Sequence, residues 1–136
     1  MTDGEHPSAT AYRRTAAAFR AGDLAAIEEL IYEDVVWHIP GTNRWAGDRR
    51  GQEAVAAFLA GLVQTGPWLT EHDVFGNDEH VCALMVVGIR RPDLEVETRV
   101  VNVFHFREGR QLERWFFPES LARWDQILGA TPLGPA

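Results

Sequence analysis

The chain of 136 residues has the length of one ordinary domain and can bury a core without disulfides or metal ions. Its 46% hydrophobic and 24% charged residues are typical of a globular protein and exclude a disordered or fibrous chain. The formal net charge of −7, with basic residues adjacent only as pairs such as Arg49-Arg50, argues against a nucleic-acid partner.

Two features bear on cellular location. The longest apolar run, 81–87, is far too short to cross a bilayer. The first residues, 1–7, lack the basic and apolar regions of a signal peptide. We therefore expect a cytoplasmic protein without a membrane partner.

The single Cys82 excludes an internal disulfide and a cysteine-based metal site, and its apolar strand predicts a small buried side chain.

The first half of the chain predicts helices around one strand. Apolar residues recur at helical spacing over 9–21, and Asp23 can cap a short second helix. The β-branched and aromatic segment 35–39 predicts a strand, and the polar segment 42–51 predicts a loop. A third helix is expected over 52–62, where apolar residues share a face.

In the second half the apolar period changes to two, which predicts a sheet. Tight turns separate the expected strands, so they form an antiparallel meander; the strands are 69–75, 80–90, 94–107 and 111–117. Pro118 can then open a last helix over 119–128. This order predicts a single α+β domain over 1–136, with flexible ends at 1–8 and 129–136.

Three segments, in this order and spacing, resemble the NTF2-like superfamily, in its SnoaL-like branch of ketosteroid isomerase-like and polyketide cyclase-like proteins. They are Gly22-Asp23-Leu24, the strand entry 34–38, and the hairpin 108–115 with its Glu-x-Trp strand. The resemblance covers roughly 9–127. It implies a cone-shaped fold in which a curved, mostly antiparallel sheet carries the N-terminal helices on its concave face, with a hydrophobic pocket inside the cone.

The resemblance implies acid–base chemistry in that pocket, but not that of ketosteroid isomerase or limonene-epoxide hydrolase. Their acidic residues have no counterpart here, because neither 36–40 nor 100–106 contains Asp or Glu. SnoaL-like cyclases are similar in placing a His and a carboxylate on equivalent strands. On this basis the candidate catalytic residues are His38, Glu113 and His105, and the candidate substrate-binding residues are Trp37, Trp45, Arg99, Asn102, Trp115 and Phe117.

Strand alternation leaves the inward-facing side of the first strand open, because Trp37 and His38 point to opposite faces of a regular strand. A bulge before Pro40 would let both face inward. Alternation also puts Glu113 on the face of Trp115 and Phe117, together with Gln111. The sharpest hypothesis is that His38 and Glu113 meet inside the cone.

Two functions remain open from the sequence. The first is a cofactor-independent isomerase, cyclase or hydrolase/lyase acting on a hydrophobic substrate. The second is a non-catalytic small-molecule-binding or dimerisation domain, since one fold hosts both. The five histidines lack metal-ligand spacing, so no metal site is expected. Exposed aromatic residues on the meander favour a homodimer.

Overall fold

The structure, a computed structural model, describes residues 4–133. Its helices are α1 (Pro7–Ala21), α2 (Leu24–Leu30), α3 (Gln52–Thr65) and α4 (Leu121–Leu128). Its strands are β1 (Ile31–Ile39), β2 (Gly47–Arg50), β3 (Trp68–Gly76), β4 (His80–Arg91), β5 (Leu94–Arg107) and β6 (Arg110–Pro118). No helix in this range is long and apolar enough to cross a membrane.

The strands form one sheet in the order β2-β1-β6-β5-β4-β3. All neighbouring strands run antiparallel except β1 and β6, which are parallel. The predicted α+β class with a mostly antiparallel sheet is confirmed. The meander arises from short turns; the β5–β6 turn, for example, has positive φ at Glu108 (53°) and Gly109 (76°), as a two-residue hairpin turn of type I′ requires.

Local signals fix the helix ends. The side chains of His6, Asp23 and Ser120 each accept a hydrogen bond from a backbone N–H of the first helical turn. Gly22 and Gly66 end α1 and α3 in the left-handed conformation, which costs glycine little. Of these residues, Asp23 was predicted from the sequence to cap a helix.

Several predicted boundaries differ from the structure; β1, for example, begins at Ile31 rather than at residue 35. The segment predicted as the loop 42–51 contains β2, whose polar residues pair with β1 from Val36–Arg50 to Ile39–Gly47. This strand is held by backbone hydrogen bonds to β1. Its side chains are polar, so the sequence shows no alternation of apolar residues that would predict a strand. The last helix begins at Leu121 rather than Glu119, because Pro118 still belongs to β6 and Ser120 caps the helix.

The two ends are only partly within the described range. Residues 1–3 and 134–136 of the predicted flexible ends lie outside the described residues. Within the described range, α1 begins at Pro7, and the side chains of Ser8 and Ala130 are buried. These parts of both ends therefore pack against the fold.

The core lies between one face of the sheet and the helices. Trp37 of β1, Phe58 of α3 and Ile127 of α4 belong to one buried cluster. Tyr12 of α1 and Phe104 of β5 belong to a second. We call this covered side of the sheet the inner face, and the opposite side the outer face.

Candidate functional site

A cavity of about 440 Å³ lies between the inner face and helices α1, α3 and α4. Most of its walls are aromatic or aliphatic, which is the usual character of a small-molecule site. Seven lining residues have polar or charged side chains: Tyr12, Thr15, Arg20, Glu71, Asn102, Gln111 and Arg114. Four of them form two hydrogen-bonded pairs, Tyr12–Glu71 and Arg114–Asn102.

The strand register places Arg114 among aromatic rings. Trp37 of β1 pairs with Arg114 of β6, which pairs with Phe104 of β5, so the three side chains form one row on the inner face. The guanidinium carbon lies 4.5 Å from the Trp37 ring centre and 4.6 Å from that of Phe104. Phe116, two residues further along β6, is 4.2 Å away. These contacts are cation–π interactions.

Asn102 fixes one end of this guanidinium. Nη2 of Arg114 donates to Oδ1 of Asn102 over 2.9 Å, whereas Nε of Arg114 is buried without a hydrogen-bond partner among residues 4–133. Burial lowers the pKa of Arg114 to about 10, and the nearby Tyr12 and Glu71 offset only part of that effect. Arg114 is therefore still a cation at neutral pH.

Tyr12 and Glu71 form the second polar pair. The Tyr12 hydroxyl, on α1, donates to Oε2 of Glu71, on β3, over 2.5 Å. Glu71 lies on the inner face because it pairs with Met85, which pairs with Val100. Burial raises the pKa of the Tyr12 phenol, and the hydrogen bond to Glu71 raises it further. Tyr12 therefore remains a neutral donor that orients the carboxylate.

Gln111 supplies a third polar contact at the cavity. The indole Nε1 of Trp37 donates to Oε1 of Gln111 over 2.5 Å, and both side chains are fully buried. Nε2 of Gln111 has no hydrogen-bond partner in the described chain. Because the indole N–H can only donate, this bond fixes which end of the amide faces Trp37.

Comparison with known families fits this architecture. Residues 12–114 match the model of the SnoaL-like domain. The protein belongs to the SnoaL-like family. No curated protein sequence matches the chain.

Solved structures similar to this SnoaL-like protein cover nearly the whole chain. Bal32a, from a soil-derived mobile gene cassette, is 29% identical over 90% of this chain and 96% of its own, with a TM-score of 0.80. An NTF2-like protein from Burkholderia xenovorans LB400 is 21% identical over 88% and 95%, with a TM-score of 0.77. IdmH from Streptomyces antibioticus, a proposed polyketide cyclase, is 21% identical over 90% and 99%, with a TM-score of 0.65. The last two similarities show the fold alone.

His38 and Glu113 do meet, but on the outer face of the SnoaL-like sheet. The register pairs Trp37 with Arg114 and His38 with Trp115 without a break, because the irregularity in β1 lies earlier, between Ile31 and Val36, and does not turn His38 inward. Nε2 of His38 is 2.5 Å from Oε2 of Glu113, and Nδ1 is 2.8 Å from Oδ1 of Asp48. The expectation that the pair lies inside the cone is thus not met, because β1 alternates regularly here.

The electrostatics of this outer cluster follow from its two carboxylates. Burial by itself would lower the pKa of His38, but the hydrogen bonds to Glu113 and Asp48 outweigh it and raise that pKa. The Trp115 ring stacks on the imidazole with 5.5 Å between ring centres. The cluster is a surface charge network rather than part of the cavity.

Gln111 was expected on the same face of β6 as Glu113, but a bulge between them puts the two side chains on opposite faces. His105 pairs with Glu113 and Phe106 pairs with Gln111, so Leu112 is an extra residue in β6. Such a bulge reverses the alternation. Gln111 consequently faces the cavity, while Glu113 faces outward.

The other candidate residues divide between the two faces. Trp37 and Asn102 line the cavity. Trp115 and the exposed Phe117 are on the outer face, where alternation from Phe116 puts them, so they do not line it. His105 is also outside, stacked on His80 with 5.2 Å between ring centres.

Trp45 and Arg99 are also away from the cavity. The Trp45 ring packs on Phe58, with 5.7 Å between ring centres, and against Gly61 of α3. Because α3 offers it a packing site, Trp45 does not line the cavity, as a substrate-binding residue would. Arg99 is exposed, and its Nη2 is 3.5 Å from Oε2 of Glu119.

Sequence reasoning missed Arg114, Tyr12, Glu71 and Gln111. Arg114 could have been predicted, because it lies on the same face of β6 as Phe116 and the neighbouring strands contain aromatic residues. Tyr12 and Glu71 had none, since they meet only through packing of α1 against β3. Within residues 4–133, no group of three or more His, Cys, Asp or Glu side chains is arranged to hold a metal ion.

Proposed function

We propose that this SnoaL-like protein is a cofactor-independent enzyme that moves a proton on a hydrophobic small molecule bound in the cavity. The reaction is of the isomerase, cyclase or hydrolase/lyase type. One observation carries the proposal: a carboxylate, Glu71, stands in a largely apolar cavity that also contains the buried cation Arg114. Such combinations of a proton acceptor and a fixed positive charge are suited to acid–base catalysis.

Glu71 is the proposed base. Its Oε2 is engaged by the Tyr12 hydroxyl, which leaves Oε1 to accept a proton from substrate. For a ketone substrate, the C–H bond beside the carbonyl breaks, the proton passes to Oε1, and the electron pair moves onto the carbonyl oxygen. A positioned base contributes about 10²–10⁴-fold to rate. Tyr12 acts by positioning Glu71.

The family supports this class of reaction without identifying the substrate. IdmH, which shares the fold, is itself a proposed polyketide cyclase. Ring closure of that kind needs proton removal next to a carbonyl, which is the step assigned here to Glu71. The outer cluster of His38 and Glu113 takes no part in it, because neither residue lines the cavity.

A second function, binding without turnover, is favoured by one observation. No histidine is among the described residues that line the cavity, so apart from the arginines Arg20 and Arg114 its acid–base groups are Glu71 and Tyr12. A pocket of this kind can hold an apolar ligand without reacting with it. Proton exchange separates the two functions, since a binding domain does not catalyse it.

We also propose that two copies pair through the outer face, in the cytoplasm. The register puts Trp115, Val103, Cys82 and Phe75 in one row across the outer face, and Phe117 and Val101 in the next. Phe117 and Phe75 are 54% and 52% exposed. An apolar surface of this extent is typical of an interaction site.

Deuterium exchange tests the enzymatic proposal. 2-Tetralone, an apolar bicyclic ketone, is incubated with the protein in D₂O, and NMR follows the loss of protons next to the carbonyl. The wild type is expected to accelerate exchange, and E71Q to lose about 10²-fold or more of that acceleration. Equal exchange by wild type and E71Q would contradict the role of Glu71. Absence of acceleration by the wild type would favour the binding function.

A further inference from the structure

Two N–H donors at the cavity lack acceptors. Nε of Arg114 and Nε2 of Gln111 are buried, and neither has a hydrogen-bond partner in the part of the chain that the structure describes. Leaving a buried donor unsatisfied destabilises the protein, and a charged donor does so more strongly than a neutral one. Both side chains line the same cavity and both contact Trp37. An oxygen of a bound molecule would satisfy them.

Both donors are held in place before any ligand arrives. The Gln111 amide is fixed by the bond from Trp37 Nε1 to its Oε1. The Arg114 guanidinium is fixed by Asn102 and by the rings of Trp37, Phe104 and Phe116. Donors fixed in this way bind an oxygen without losing further side-chain freedom.

The charge of the site determines which oxygen fits. None of the salt bridges among residues 4–133 includes Arg114. Glu71 carries the one carboxyl group among the described residues that line the cavity; it forms no salt bridge with Arg114, and its Oε2 accepts from the Tyr12 hydroxyl. The ring faces around Arg114 offset its charge only in part, since a cation–π contact is weaker than a salt bridge in a buried site. The cavity therefore contains a buried cation without a direct counter-ion.

We propose that Arg114 and Gln111 bind an ionised oxygen of the ligand, a carboxylate or a phenolate, carried on an apolar ring system. The guanidinium donates to this oxygen through Nε, and Gln111 donates through Nε2. The aromatic walls take the rings. This assignment of ligand class rests on the proposed use of the cavity as the functional site.

Matched probes test the assignment by calorimetry. 2-Naphthoate and 2-naphthamide have the same ring system and differ in charge. The wild type is expected to bind 2-naphthoate at least about 10-fold more tightly than 2-naphthamide, which corresponds to about 1.4 kcal/mol. R114M should lose this preference while still binding the amide. R114K should keep part of it, because the ammonium retains the charge without the planar fork.

4-Nitrophenol distinguishes the two sources of the ionised oxygen. Its colour reports ionisation, so a phenolate site should increase its ionised fraction on binding, and R114M should abolish that increase. A response to 2-naphthoate alone assigns a carboxylate, and a response to 4-nitrophenol alone assigns a phenolate.

Three results would overturn the inference. Equal affinity of the wild type for 2-naphthoate and 2-naphthamide, with no change in the ionisation of 4-nitrophenol, would overturn it and leave the proposed function standing. Retention of the wild-type preference by a folded R114M would do the same. Binding of none of the probes would contradict the proposed function as well. If circular dichroism shows that R114M does not fold, the wild-type preferences decide the question.

Discussion

Trp37 and His38 are adjacent in β1, yet their side chains serve opposite faces of the sheet. Trp37 is fully buried at the cavity, where its indole donates to Gln111 and its ring contacts Arg114. His38 lies on the outer face between Glu113 and Asp48. The single step of alternation between them separates the proposed site from a surface charge network.

Removing the Tyr12 hydroxyl should impair proton exchange less than removing the Glu71 carboxylate. Y12F leaves Glu71 in place but without its orienting donor, at a stability cost of about 0.5–1.5 kcal/mol. The measurement is exchange of 2-tetralone in D₂O, together with urea unfolding. Y32F is the matched control, because the Tyr32 hydroxyl donates to the Arg107 carbonyl away from the cavity. Equal exchange by Y12F and wild type would remove Tyr12 from the site.

His38 should stabilise the folded protein more at low pH than at high pH. Its folded-state pKa is raised by Glu113 and Asp48, so its contribution is complete below the unfolded-state value near 6.5 and is lost as pH rises through the folded-state value. Urea unfolding of wild type and H38Q at pH 5.5 and pH 8.5 measures this. The difference between the two proteins should be larger at pH 5.5.

Glu113 provides the check on that pH dependence. E113Q removes one of the two carboxylates that hold the imidazolium, so the pH-dependent part of the His38 contribution should shrink in that background. A difference between wild type and H38Q that is the same at both pH values would show that the outer cluster does not favour the protonated ring.

Phe117 should be required for pairing of two copies. Sedimentation velocity at micromolar concentration is expected to show a dimer for the wild type and a monomer for F117E, since a buried unpaired charge opposes association. L24E is the control, because Leu24 is 67% exposed but lies on α2, away from the outer face. A wild type that sediments only as a monomer would rule out the proposed pairing.

Gly61 should be intolerant of a side chain because of Trp45. A Cβ at this position would lie 2.1 Å from the Trp45 ring. G61A should therefore destabilise the protein by about 1–3 kcal/mol, although alanine favours helices. In a W45A background the same change should be neutral or stabilising. Additive effects in this double-mutant cycle would show that the two residues do not clash.

Much of the fold followed from the sequence because its signals were local. Asp23 marked the start of the second helix, and the alternation after residue 68 marked the meander. β2 was missed because its residues, such as Asp48 and Arg50, are polar and its existence depends on pairing with β1. A strand of four residues is too short for its own sequence pattern to predict this pairing.

The candidate site was harder to predict, for two physical reasons. In β6, aromatic residues occupy both faces, so alternation could not decide whether Arg114 and Phe116 or Trp115 and Phe117 face the cavity. The bulge at Leu112 then separated Gln111 from Glu113. Trp37 and Asn102 were among the candidates, but alternation alone left open whether Trp37 or its neighbour His38 faces inward.

The most direct test of the central claim is ligand binding after filling the cavity from one helix. Ala16 of α1 lines the cavity, whereas its neighbour Ala17 is exposed and does not. Calorimetry with 2-naphthoate should show that A16F loses binding while A17F, with the same added ring, binds as the wild type does. If A16F binds 2-naphthoate with wild-type affinity, the cavity is not the ligand site and the account is contradicted.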